Sequence, residues 1–257
     1  MTGEPTGYLI DVDGTLLDGD REVPGAARFL AELRSSGTPF RIVTNTTRRS
    51  RREVARAMSA AGIEVAPNEV LAPAALARLT IAASGRRSAL LLVADGLLED
   101  LPDIESCAER PDWVVVGDLG PAFTWERLNA AFRALLAGAA LLALHVNRYW
   151  QDGDRGPKID AGAFVRALEY AAGVEAEVVG KPSAAFFRLA VEDLGVPAGE
   201  VAMIGDDVRN DGVGATGAGL RSILVRTGKF RQRDLDAAGG FAPERVIASI
   251  AELTGRT

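Results

Sequence analysis

The sequence predicts an α/β protein: a parallel-sheet core with a second, smaller α/β unit inserted into it. Two observations lead there. Short apolar runs alternate with amphipathic helical patterns along the chain, as strand–helix–strand crossovers require. The strand-like runs that end in polar clusters lie towards the two chain ends, whereas 81–176 holds strands and helices with no comparable cluster. The core is therefore expected at 1–80 and 177–257, and the insert at 81–176.

Each element has its own signal. YLIDVD (8–13) reads as a buried strand ending in acids. Pro24 opens a helix with Ala27, Leu30 and Leu33 on one face, stopped by Gly37. PFRIVTN (39–45) is the next strand, and Ser50 caps a helix to about Ala61. ALLLV (89–93), WVVVG (113–117) and ALLAL (140–144) are strands, with a helix near 124–136 before the last. A helix near 161–172 ends at Gly173, and EVVGKP (177–182) is a strand running into a loop. A helix near 184–194 stops at Gly195. VAMIGDD (201–207) and LRSILVRTG (220–228) are strands, and Pro243 leads into a closing helix.

Composition narrows the chemistry. Of 257 residues, 47% are hydrophobic and 25% charged, enough for a substantial core. The net charge of −6 argues against general nucleic-acid binding, which leaves a basic footprint. The longest apolar run, AALLAL at 139–144, is far too short to span a bilayer, and MTGEPTG is too polar for a signal peptide. The expectation is a cytoplasmic protein without a membrane partner. One Cys, Cys107, excludes an internal disulfide and a cysteine zinc site. One His, His145, follows an apolar run and reads as structural. Only Lys158, Lys181 and Lys229 break a preference for Arg among the 29 basic residues.

The sharpest motif is DVDGT, Asp11 to Thr15, at the carboxyl end of the first strand, where open α/β sheets bind ligands. Strand alternation puts Asp11 and Asp13 on one side, and a divalent cation would relieve their repulsion. Thr44 and Asn45 end a second strand with a hydroxyl and an amide. Lys181 in GKP adds a cation, and GDDVRND adds Asp206, Asp207 and Asp211. A nucleophilic carboxylate, a metal cage, a lysine and polar donors are what phosphoryl transfer needs.

These motifs, in this order, resemble the haloacid dehalogenase-like superfamily of phosphatases, in the branch with an α/β cap between the second and third motifs. LEYAAGVEAEVVGKPSAAFF (168–187), MIGDD (203–207) and VRTGKFR (225–231) resemble the phospholysine phosphohistidine inorganic pyrophosphate phosphatase subgroup and its hydrolase-domain relatives. The resemblance implies a Rossmann-like core. It implies Asp11 as nucleophile, and Asp13 as general acid and then base. It implies Mg²⁺ on Asp11, the Asp13 carbonyl and Asp206, with Asp207 and Asp211 supporting them. Thr44, Asn45 and Lys181 would cradle the phosphate, with the Gly14 amide open to it. A homodimer through the cap is the expected assembly, and a small phosphorylated metabolite the expected substrate.

Other features are weighed beside these. GVGATG (212–217) fits a dinucleotide fingerprint in letters, but GDDVRND separates it from its strand, so close helix packing is expected. RRSRR (48–52) reads as a solvated face. The polar stretch 147–164 is either an ordinary cap loop or a specificity loop, with Trp150 and Asp160 as its contacts to the leaving group. A phospho-acceptor signalling module and a catalytically vestigial binding protein are the rivals to an enzyme.

Overall fold

The computed structural model describes residues 3–151 and 156–255. The chain opens with β1 (Gly7–Asp11), a hairpin of β2 (Leu17–Asp18) and β3 (Arg21–Glu22), α1 (Ala26–Ser36), β4 (Phe40–Val43), α2 (Arg51–Ala60) and β5 (Val70–Leu71). There follow α3 (Pro73–Ala83), β6 (Ser88–Leu92), β7 (Glu105–Ser106), β8 (Trp113–Val116), α4 (Trp125–Leu136) and β9 (Ala140–Ala143). A hairpin of β10 (Tyr149–Gln151) and β11 (Pro157–Ile159) leads to α5 (Ala161–Ala172) and β12 (Glu177–Val178). The last stretch holds α6 (Ala184–Leu194), β13 (Val201–Gly205), α7 (Gly214–Gly217), β14 (Arg221–Val225), α8 (Gln232–Asp236) and β15 (Arg245–Ile247).

Two compact units result: residues up to Thr44, Arg51–Leu71 and from Lys181 on form the first, Asn45–Ser50 and Ala72–Gly180 the second. The first is built on a parallel sheet of order β15-β14-β13-β1-β4-β5. From β1 the chain winds outward to β4 and β5, then returns to the other side with β13. That reversal makes the carboxyl end of β1 a topological switch point, the place where such sheets bind ligands. All five residues of β1 and of β13 are buried, as parallel strands covered on both faces must be. Phe29, Leu30 and Leu33 of α1 pack with Ile10, Ile42 and Ile204 of the sheet in the core of this unit. Gly37, in the left-handed region at φ 70°, ends α1 and returns its N–H to the Leu33 and Arg34 carbonyls.

The second unit has its own parallel sheet, β12-β9-β8-β6-β7. Leu142, Val115 and Ala89 of that sheet pack with Ala74, Ala77 and Ile81 of α3. The boundaries therefore differ from the expected 81 and 176. Residues 73–80, inside the expected core, belong to helix α3, which buries its apolar face in the second unit, and the division falls at 71/72 and 180/181.

Three other expectations are corrected. The closing helix after Pro243 is instead strand β15 followed by a 3₁₀ turn, Ile250–Leu253; the apolar run pairs in parallel with β14 and covers its edge. The 147–164 stretch is largely a hairpin and the first turn of α5, not a loop; 152–155, with Gly153, lie outside the described residues. Strand β1 stops at Asp11, so Asp13 is carried by a turn rather than by strand alternation. Among the described residues no helix is long and apolar enough to cross a membrane.

Candidate active site

The site is built where β1 and β13 end side by side. Asp11 is the last residue of β1 and is buried. Lys181, 3% exposed, donates from Nζ to Asp11 Oδ1 at 2.6 Å and to Asp211 Oδ1 at 2.7 Å. A buried ammonium is costly unless paired. Here burial works against its charge, but Asp11 and Asp211 outweigh burial and hold Lys181 protonated above its ordinary pKa. Asp211 reaches this position from the π-helical turn Val208–Val213 that follows β13. Its other oxygen accepts from the Asp207 amide at 3.0 Å. Gly205 makes room for it, since a Cβ there would fall 2.2 Å from Asp211 Oδ2.

Asp206, the residue after β13, completes the group. Oxygens of Asp11, Asp206 and Asp211 all lie within 4.8 Å of one another, and all three residues are buried. Lys181 pairs with Asp11 and Asp211 and leaves Asp206 without a salt bridge among the described residues. Burial, with Asp11 and Asp211 adding, pushes the Asp206 carboxyl up to about 8. Burial also raises Asp211 to about 7, although Lys181 pulls it down. Asp206 Oδ2 accepts from the Lys229 amide at 2.5 Å, while its Oδ1 is buried with no hydrogen-bond partner. An orphaned anionic oxygen inside an all-oxygen cluster suits a hard divalent cation. The residues present therefore fit Mg²⁺.

The turn after β1 is tied down from several sides. Val12 O accepts from the amides of Leu16 and Leu17, both at 2.9 Å. Gly14 sits at φ +79°, and a Cβ there would lie 2.2 Å from Asp206 Oδ2 and 2.8 Å from the Gly228 Cα. Thr227 Oγ1 donates to the Gly14 carbonyl at 2.5 Å. The loop after β14 is thus clamped on the DVDGT turn. The open Gly14 amide is a correction: Gly14 donates it to Leu17 O at 2.6 Å. Glycine is needed here for its backbone angle and for closeness to Asp206.

The remaining expected residues divide. Asp13 is exposed, two residues after the buried Asp11. Thr44 is buried and follows β4, the neighbour of β1, and Asn45 is the next residue. Asp207 is engaged by the turn that follows it. Its Oδ1 accepts from the amides of Arg209 and Asn210, and its Oδ2 from the Asn210 side chain. It caps the π-helical turn and so places Asp211, whereas Asp211 stands inside the cluster rather than behind it.

In the second unit, Asp160 is buried and caps α5, accepting from the Ala161 amide at 2.7 Å. It also lies 3.7 Å from His145 Nε2. Its carboxylate is thus engaged within the second unit, as a helix cap beside His145. Trp150 on β10 is half-buried, with Arg48 and Lys158 over its ring at 5.6 and 5.5 Å. Arg48 also faces Asp118 at 3.7 Å, so RRSRR is not merely a solvated run. His145 shares Nε2 with Thr47 Oγ1 at 3.1 Å, and its Nδ1 accepts from the Asn147 amide at 3.3 Å. In a nucleophilic triad the carboxylate holds Nδ1 while Nε2 faces the hydroxyl. Here hydroxyl and carboxylate stand at the same nitrogen, so His145 is structural. GVGATG serves packing: a Cβ on Gly212 would lie 2.8 Å from Phe241, and one on Gly214 2.6 Å from Pro182.

Comparison with known proteins decides the family. Residues 8–106 match the model of the haloacid dehalogenase-like hydrolases, and residues 178–253 a second model, HAD-hydrolase-like. The bovine phospholysine phosphohistidine inorganic pyrophosphate phosphatase is 39% identical over 234 residues, covering 89% of this chain and 85% of that protein. The chain belongs to the haloacid dehalogenase-like hydrolases. It is a phosphohydrolase of that family. The bovine haloacid dehalogenase-like hydrolase domain-containing protein 2 is 40% identical over 228 residues, covering 89% of this chain and 86% of that protein. A solved 4-nitrophenylphosphatase from Thermotoga maritima superposes with a TM-score of 0.90 at 28% identity, covering 97% of this chain and 96% of that one.

Proposed function

We propose that this chain hydrolyses a small phosphorylated metabolite through an aspartyl-phosphate on Asp11, with Mg²⁺ as its cofactor. The observation that carries the reading is the buried pairing of Asp11 with Lys181 beside the orphaned Asp206 Oδ1. An Asp11 oxygen attacks phosphorus, and the bond to the leaving oxygen breaks. Asp13 gives that oxygen its proton, then takes one from water as the water attacks phosphorus and releases Asp11. Lys181 supplies positive charge beside the nucleophile, and Asp211 keeps the ammonium in place. Asp11, Asp206 and the Asp13 carbonyl would hold the metal. Bound there, Mg²⁺ would offset the repulsion between a carboxylate nucleophile and an anionic phosphoryl group. Thr44, Asn45 and Trp150 are proposed to bind the phosphoryl group and the remainder of the substrate.

The relatives leave the substrate class broad. One bears a pyrophosphate and phosphoramidate name and another is a 4-nitrophenylphosphatase, so phosphoanhydrides, phosphoramidates and phosphoesters are all candidates here. A cytoplasmic setting and self-association through the second unit are part of the proposal, supported by the acidic composition and by exposed Tyr149 and Ile159 on the hairpin. The test is Asp11→Asn, which keeps shape and removes the attacking anion. Turnover of an aryl phosphate should fall at least ~10³-fold. Retention of a tenth of wild-type turnover would overturn the assignment, and full activity after exhaustive chelation would remove the metal.

A further inference from the structure

Lys229 has no part in the chemistry above, yet it stands next to it. It lies in the loop after β14 that is clamped on the DVDGT turn by Thr227 and Gly228. Its backbone amide holds Asp206, which fixes where its side chain starts. The residue is exposed, and its ammonium feels the charges of Asp206, Asp11, Asp207 and Asp13. Among the described residues it closes an ion pair with none of them.

Its neighbours are occupied. Arg231 donates to the Gly228 and Phe230 carbonyls, and Arg226 lies over the Phe230 ring at 5.2 Å. Lys181 is committed to Asp11 and Asp211. Lys229 is thus the cation of this loop whose main chain touches Asp206 and whose side chain is exposed at the rim of the site. The field it shares includes exposed Asp13, the residue proposed to meet the leaving group. A phosphoryl group of any substrate presents the same atoms to Asp11 and Lys181, so discrimination must come from the leaving group. An anionic leaving group passing exposed Asp13 is repelled there unless a cation meets it.

We infer that Lys229 is a specificity residue, which contacts the leaving group and selects phosphoryl donors whose leaving group carries its own negative charge. The inference rests on the phosphoryl-transfer reading of the site and adds a substrate class to it. The side chain can be tested apart from the fold, because the structural bond to Asp206 comes from the backbone amide, which every substitution except proline keeps.

The experiment uses the Mg²⁺-loaded full chain and two aryl phosphates that differ only in a para carboxylate or a para carboxamide. The ratio of kcat/KM for the two esters is measured in wild type, Lys229→Met, Lys229→Arg and Lys229→Glu, with a melting curve for each. The wild-type ratio should favour the carboxylate. Lys229→Met should lower it at least about fivefold, chiefly through KM of the carboxylate ester. Lys229→Arg should keep it, and Lys229→Glu should invert it. Equal losses on both esters, or a ratio untouched in Lys229→Met and Lys229→Glu, would overturn the inference. Wild-type hydrolysis of the carboxamide ester reports the phosphohydrolase reading separately, since the inference stands or falls on the ratio alone.

Discussion

Gly14 and Asp206 stand so close that no side chain fits between them: a Cβ on Gly14 would fall 2.2 Å from Asp206 Oδ2. The turn that follows the proposed nucleophile and the carboxylate proposed for the metal are therefore one mechanical unit. Gly14→Ala must either displace Asp206 or open the turn, and it also forces alanine into φ +79°. The backbone angle alone costs about 1–2 kcal/mol. We expect a lower Tm and a weaker Mg²⁺ affinity, measured by calorimetry on the same variant. Wild-type metal affinity in Gly14→Ala would show that the two groups are independent.

Lys181 is expected to be structural as well as functional. Lys181→Met leaves Asp11 and Asp211 buried without their ammonium. Breaking a buried pair in this way costs about 3–5 kcal/mol. Lys181→Arg should not restore activity, because a planar guanidinium cannot reproduce one nitrogen at 2.6 and 2.7 Å from two carboxylates. Chemical denaturation and turnover, followed together, check both statements. A Lys181→Arg enzyme with wild-type kcat would contradict the second.

The metal-free protein should lose stability as pH rises. Asp206 titrates at about 8 when folded, against an ordinary value of 3.8. Between those values the folded chain keeps a proton that the unfolded chain releases, so stability falls as pH rises through the window. Lys181, raised above its ordinary value, contributes nothing to this slope below pH 10. In EDTA, Tm should be higher at pH 6 than at pH 8.5, and Asp206→Asn should reduce the difference to the part that Asp211, raised to about 7, contributes. Added Mg²⁺ should raise Tm most at pH 8.5, where no proton competes for Asp206. A metal-free Tm that climbs with pH would contradict this account.

Trp150 and Asp160 should separate. Asp160→Ala removes a helix cap and should cost about 0.5–2 kcal/mol without changing the order of substrate preference. Trp150→Ala removes a half-buried ring flanked by two cations and is expected to alter that order with a smaller change in Tm. A substrate panel beside melting curves distinguishes them. Uniform slowing in Trp150→Ala with a large drop in Tm would make Trp150 a packing residue.

Much of this site was legible because its chemistry lies at strand ends. Asp11, Thr44 and Asp206 each follow or close an apolar run, and the switch point gathers such residues whatever their distance in sequence. Asp207 and Asp211 were harder, since adjacent acids look alike in letters and only the π-helical turn shows which one faces Lys181. The engagement of the Gly14 amide depends on where Leu17 O returns, which no motif encodes. The role of Asp160 was readable: an aspartate directly before a predicted helix is a cap signal. Helix α3 went unread because its alanines give little contrast between its faces, and the domain boundary moved with it. Lys229 carried only one sign, its rarity among arginines.

The parallel pairing of β1 with β13 sets Leu9 beside Met203. A nascent chain exposes β1 first and must then wait for the whole stretch from Asp11 to Val201 before that neighbour exists. At about 5–20 residues per second the delay on the ribosome is about 10–40 s. The sheet from β6 to β12 is contiguous in sequence and can close during that interval. Any message cut short before β13 yields a chain that holds Asp11 but neither Asp206 nor Asp211, with one side of β1 unpaired. Such a strand edge is a template for aggregation. The hydrolase is therefore expected to depend on chaperones early in its life, and to gain its active centre only once β13 and the turn that carries Asp211 have been made.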